Sequence, residues 1–136
     1  MREGFMNIAF IAHDRKKELL VNLCIAYIDI IKKHNLFATG TTGKVIKEHV
    51  ELDVYAFSPG LLGGVEQISA RILYDEIDMV IFLVDPSVRV GYEPDLTSLM
   101  KLCDDHSIPY ATNIATAEIL IKGLERGDLE WRGLIH

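Results

Sequence analysis

The residues best placed to do chemistry fall at a few short stretches. Thr39-Gly40-Thr41-Thr42-Gly43 follows an apolar run, Leu36 to Ala38, and opens a segment with helical spacing at Val45, Ile46 and Val50. Glycines there let the backbone turn tightly and approach a ligand. Free N–H groups at a helix start, with the helix dipole behind them, favour an anion such as phosphate. The hydroxyls of Thr39, Thr41 and Thr42 add further donors. The same stretch also suits a plain cap and turn. Lys17 lies four residues past His13, one turn into a helix, where its ammonium can reach back to a phosphate. Arg15 and Lys16 beside it read equally well as a solvated basic face. His13 at a strand end is either a proton carrier, as imidazole side chains often are, or a hydrogen-bonded cap. Asp85 directly follows a buried run, so its carboxylate must be paired or face a ligand. Glu93 and Asp95 flank Pro94 and favour the start of a helix.

These residues need a scaffold that brings distant stretches together. Met6 to Ala12 is a continuous apolar run, as expected of a strand buried on both faces. Asp14 caps a helix expected from about Arg15 to Lys33, with Leu19, Leu20, Leu23, Cys24, Tyr27, Ile28 and Ile31 inward. A strand at Leu36 to Ala38 leads to a helix from Thr41 to His49, and a short strand spans Val54 to Phe57. Ser58 to Gly64 is a loop rich in breakers. A helix from about Val65 to Asp75 follows, with Ile68, Ile72 and Leu73 inward. Met79 to Val84 is the clearest strand. Pro94 suits the first turn of a helix over about Asp95 to His106. Ile108 to Ala111 is a fifth strand, and a helix from about Ala115 to Ile121 follows. The tail, Asp128 to Ile135, adds a short edge strand.

Five strands alternating with five helices imply an α/β fold, an open, mainly parallel five-stranded sheet with helices on both faces. Ligands in such a sheet bind beyond the carboxyl ends of the strands. Here those ends are His13-Asp14, Thr39 to Thr42, Ser58 to Gly64, Asp85-Pro86 and Thr112-Asn113, all polar or glycine-rich.

The 136 residues suit a single domain over 1–136. A net charge of −6 argues against nucleic acid or an acidic membrane surface as partner. No apolar run approaches the roughly 20 residues needed to cross a bilayer, and no signal peptide is visible. The two cysteines, Cys24 and Cys103, sit in apolar helical patterns. They read as reduced core thiols in a cytoplasmic protein, with no zinc site.

With these residues in place, the chain resembles the methylglyoxal synthase family from about Asn7 to Ile121. The resemblance is carried by Ala12-His13-Asp14 with Lys17, Ala38-Thr39-Gly40-Thr41-Thr42-Gly43, Gly63-Gly64, and Ile81-Phe82 with Asp85-Pro86. It continues through Pro94-Asp95, Ile108-Pro109, Ala111-Thr112-Asn113 and Ala115-Thr116-Ala117. It implies a Rossmann-like three-layer fold and a lyase, usually a homohexamer. That lyase converts dihydroxyacetone phosphate to methylglyoxal and inorganic phosphate without cofactor or metal. Lys17, Thr39, Thr41 and Thr42 would match phosphate binders. Ser58 and Gly60 stand near the family's phosphate-touching Ser-Gly-Pro turn. His13, Asp14, Asp85 and Asp95 would match polar residues of the active site.

Three positions depart from the family pattern. Gly63-Gly64-Val65-Glu66-Gln67 stands where the family has Gly-Gly-Asp-Gln-Gln, whose aspartate is the catalytic base. Ser58-Pro59-Gly60 replaces Ser-Gly-Pro, and Pro59 has no N–H to offer. Tyr92 replaces a histidine. Either the lyase persists with Glu66, Asp14 or Asp85 as base, or the chain keeps the phosphate pocket for binding, regulation or another phosphorylated metabolite. A one-residue shift on a helix rotates a side chain by roughly 100°, so Glu66 needs a reshaped helix start to serve.

Overall fold

A computed structural model of the chain describes residues 5–89 and 91–132. Its elements run β1 (Asn7–Ala12), α1 (Lys17–Ala26), α2 (Ile28–Ile31), β2 (Asn35–Ala38), α3 (Gly40–His49) and β3 (Val54–Ala56). They continue through α4 (Gly64–Leu73), β4 (Met79–Leu83), α5 (Thr97–Asp105), β5 (Tyr110–Ala111) and α6 (Ile114–Arg126). Two 3₁₀ turns, Asp14–Lys16 and Gly60–Leu62, precede α1 and α4. The five strands pair in parallel in the order β3-β2-β1-β4-β5. The expected α/β architecture is therefore present.

Alternation along the central strands builds a core on each face. Ile8, Phe10 and Ala12 of β1, with Met79, Ile81 and Leu83 of β4, meet Leu20, Cys24, Ile46 and Ile121 from α1, α3 and α6. Ala9, Ile11, Val80 and Phe82 point the other way, against Val65, Ile68 and Ile72 of α4 and Leu99 and Cys103 of α5. On this second face, Phe37, Tyr55 and Phe57 of the β2–β3 side share the guanidinium of Arg71, 5.5, 5.8 and 5.5 Å from their ring centres.

Several boundaries differ from expectation. The long first helix breaks at Tyr27 (φ −116°, ψ 26°). The neighbourhood is rich in Ile25, Ile28, Ile30 and Ile31, whose branched side chains support helix weakly. The Tyr27 hydroxyl instead donates to Glu118 Oε2 on α6 at 2.8 Å. Leu19 and Leu73 are exposed, not inward, and Val21 is buried in place of Leu19. The helix α4 ends at Leu73, and Asp75 turns the chain with φ 57°. The helix α5 starts at Thr97 with Leu96 as its N-cap, and the Asp95 carboxylate just ahead of it accepts the Thr97 N–H at 3.3 Å. Pro94 lies outside that helix. The helix α6 extends to Arg126, where Gly127 (φ 76°) stops it in the left-handed conformation. The expected edge strand is not formed over residues 128–132, which turn instead; its remainder lies outside the described residues.

That turn carries Arg132 into the interior, 1% exposed. Its Nε lies 3.4 Å from Asp78 Oδ1, and its Nη1 donates to the carbonyls of His106 and Ser107. The other Asp78 oxygen accepts Asn7 N–H at 2.8 Å. One buried ion pair thus ties the amino ends of β1 and β4 to the turn before β5.

Nearby, His34 Nδ1 accepts the Met6 N–H at 2.9 Å. Burial, then the Lys33 cation, push the His34 pKa below its ordinary 6.5, with Asp78 opposing them. The folded state therefore favours neutral His34, while the unfolded chain takes up a proton below about 6.5. We expect this contribution to be complete above that pH and to disappear as pH falls through the lowered folded value. Urea midpoints of wild type and His34→Gln, measured from about pH 7 to about pH 5, should converge with acidification. A gap that widens instead would contradict the assignment.

Candidate active site

The sheet order sends the chain outward from β1 to β3 and then back across to β4 on the other side of β1. Such a switch opens a crevice at the carboxyl ends of the central strands. A cavity of about 160 Å³ lies there, lined by Asp14, Lys17, Thr39, Thr41, Gly60 and Glu93, among others.

Its floor follows from how β2 becomes a helix. After Ala38 the chain leaves the ladder and starts α3, so Ala12 N–H loses its next strand acceptor. The Thr42 hydroxyl takes that N–H at 3.2 Å and also accepts from the Thr39 hydroxyl at 3.2 Å. Both threonines are 1% exposed. Thr39 N–H goes to Phe10 carbonyl and Gly40 N–H to Ser58 carbonyl. The N–H groups of Thr41 and Thr42 have no partner among the described residues, as expected in the first turn of a helix. A Cβ on Gly40 would sit 2.7 Å from Phe57 carbonyl oxygen, so only glycine lets the loop after β3 close on α3.

The cationic wall is Lys17. Its Nζ donates to Ala12 carbonyl and to Asp14 Oδ1, each at 2.8 Å. The hydrogen bond and charge of Lys17 hold the Asp14 carboxyl below its ordinary range. Asp14 N–H donates to Glu93 Oε1 at 2.6 Å. His13, one residue earlier, is buried and packs edge-on against Phe82, ring centres 5.5 Å apart. Its Nδ1 accepts Asp85 N–H at 3.0 Å, which places the ring hydrogen on Nε2, where it donates to Pro94 carbonyl at 2.9 Å.

A second cavity of about 560 Å³ adjoins the first through Asp14, Tyr92 and Glu93, and reaches Arg15, Asp85 and Arg89. Asp85 is 8% exposed. Its Oδ1 accepts Ser87 N–H at 3.0 Å and Ser87 hydroxyl at 2.7 Å, and these bonds hold its pKa below the ordinary value. Its Oδ2 is buried without a partner among the described residues.

Asp14, Lys17, Thr39, Thr41 and Gly60 thus share one cavity, and Asp85 stands in the next. Gly60 packs so closely on the loop above that a Cβ there would collide with Pro94 Cγ. Ser58 contributes backbone: its carbonyl accepts Gly40 N–H at 2.9 Å, and its N–H donates to Gln67 Oε1 at 2.8 Å. Glu66 is exposed on α4, and Asp95 accepts the Thr97 N–H ahead of α5; neither lines the two cavities. Val65 is buried in the apolar cluster of the second face. Glu93, which from sequence reads only as an acid at a helix start, lines both cavities. Its signal in the sequence is Pro94, which pushes the preceding residue out of helical conformation.

The family model for the MGS-like domain matches residues 20–112. A methylglyoxal synthase of Caldicellulosiruptor saccharolyticus is 59% identical over 131 residues, 96% of this chain and 93% of that protein. Another, from Thermoanaerobacter pseudethanolicus, is 59% identical over 127 residues, 93% of this chain and 96% of that one. The crystal structure of methylglyoxal synthase from Elizabethkingia anophelis NUHP1 superposes with a TM-score of 0.83 at 37% identity, covering 87% of this chain and 78% of that one.

The Thr42 hydroxyl yields a direct test of the floor. Thr42→Val keeps the shape and strands the buried Ala12 N–H, which should cost about 1–3 kcal/mol in urea unfolding. Thr42→Ser should recover most of it. Equal stability of all three proteins would show that the hydrogen bond contributes nothing.

Proposed function

This chain belongs to the methylglyoxal synthase family, and on that premise we propose that it converts dihydroxyacetone phosphate to methylglyoxal and inorganic phosphate. The observation that carries the reading is that Lys17 and Thr41, at the start of α3, line one small cavity, where the Thr41 and Thr42 N–H groups have no partner among the described residues. The phosphate sits on the helix start, held by the dipole, the Thr41 and Thr42 N–H groups and the Lys17 ammonium. The Thr39 and Thr41 hydroxyls line the same end.

A carboxylate base removes a proton from carbon 3 of the bound ketone, giving an enediol phosphate. The bond from carbon 1 to the phosphate oxygen then breaks, and its electron pair leaves with the phosphate. The enol that remains rearranges to methylglyoxal. Fixed donors around the phosphate stabilise the charge that builds on it as it leaves. No cofactor enters this scheme. On the same premise the protein is a cytoplasmic homo-oligomer, a hexamer by its family, with residues 1–136 as one domain.

Purified protein given dihydroxyacetone phosphate should release methylglyoxal and phosphate in equal amounts. No product above the uncatalysed background would overturn the reading. Inorganic phosphate should also raise the melting temperature by mass action, and Lys17→Ala should abolish most of that rise.

A further inference from the structure

The reaction just proposed needs a carboxylate able to take a carbon-bound proton, and position 65, where the family resemblance puts that group, holds a buried valine. We infer that Glu93 takes this proton, a role that rests on the lyase reading above.

The geometry narrows the choice. Asp14 and Glu93 are the carboxylates that line the small cavity among the described residues. Asp14 is paired with Lys17 at 2.8 Å and held below its ordinary pKa. A carboxylate stabilised as an anion is a correspondingly weaker base. Asp85 stands in the neighbouring cavity with one oxygen bound to Ser87 and the other buried. Asp95 accepts from Thr97, and Glu66 points to solvent on α4. Both ring nitrogens of His13 are occupied by backbone.

Glu93 differs from all of these. Its Oε1 is fixed by Asp14 N–H at 2.6 Å, and its Oε2 has no partner among the described residues. The backbone beneath it is anchored by the His13 bond to Pro94 carbonyl. One oxygen orients the group and the other keeps its lone pairs for the substrate, which is what general-base catalysis requires.

In this step the carbon 3–hydrogen bond breaks and the proton goes to Glu93 Oε2. The electron pair forms the C2–C3 double bond, and the carbonyl pair moves onto the C2 oxygen. Glu93 returns its proton to that oxygen. In the elimination that follows, the carbon 3 hydroxyl becomes the aldehyde and its proton leaves with the phosphate. Atoms and charge balance without a further reactant.

Glu93→Gln is the deciding variant, because its amide oxygen can still accept Asp14 N–H. As the base, Glu93 is worth about 10²–10⁴ in kcat. The variant should lose that factor, with KM and the phosphate-induced rise in melting temperature unchanged. Exchange of the carbon 3 hydrogen with deuterated water should fall in parallel. Glu93→Asp should recover part of the rate. If wild type turns over and Glu93→Gln matches it within a few-fold, Glu93 only positions Asp14; the inference fails and the lyase reading stands. If wild type itself makes no product, the lyase reading fails and the inference falls with it.

Discussion

The imidazole of His13 is the joint on which the upper end of the molecule depends. It closes β1, accepts the N–H that follows β4 and donates to the carbonyl of Pro94. Three chain segments that are remote in sequence are held by one ring, with no water needed between them. The Asp14 N–H bond to Glu93 adds a second fastening to the same loop. Because both ring nitrogens are occupied by backbone, the ring acts as a tie. The sequence alone left open whether it ties or carries protons.

How the two halves of the cavity are built explains what is kept and what is changed in this chain. The half proposed to hold phosphate is largely backbone, the start of α3, closed by Gly40 and by Thr42 standing in for a missing strand acceptor, with the Lys17 ammonium as its cation. Side-chain changes elsewhere leave its backbone donors in place. The half proposed to move protons depends on particular side chains at the start of α4 and on the loop before α5. There, Val65 has been drawn into the apolar cluster of the second face, and Tyr92 is 69% exposed at the rim.

The sheet was legible in the sequence because buried parallel strands leave continuous apolar runs, as Met79 to Leu83 do. Lys17, Thr39 and Thr41 were legible as a group because a parallel sheet gathers its strand ends. Other features depend on contacts that no local pattern records. The break at Tyr27 accompanies a bond to Glu118, 91 residues away. The helix α5 starts at Thr97 with Leu96 as its N-cap, past both Pro94 and Asp95, the residues whose types mark a helix start in the sequence. Glu93 went unrecognised because its partner is a backbone N–H 79 residues earlier. The turn that carries Arg132 inward ends in a tail with strand-like composition, and the partner that decides its course is a buried carboxylate.

That carboxylate couples distant parts of the sheet. Asp78, at the amino end of β4, accepts the N–H of Asn7 in β1 and meets the Arg132 guanidinium 54 residues further along the chain. The same guanidinium holds the carbonyls of His106 and Ser107 ahead of β5. A disturbance of the turn at residue 132 would therefore be felt at the amino ends of three strands at once, on the side of the sheet opposite the cavity.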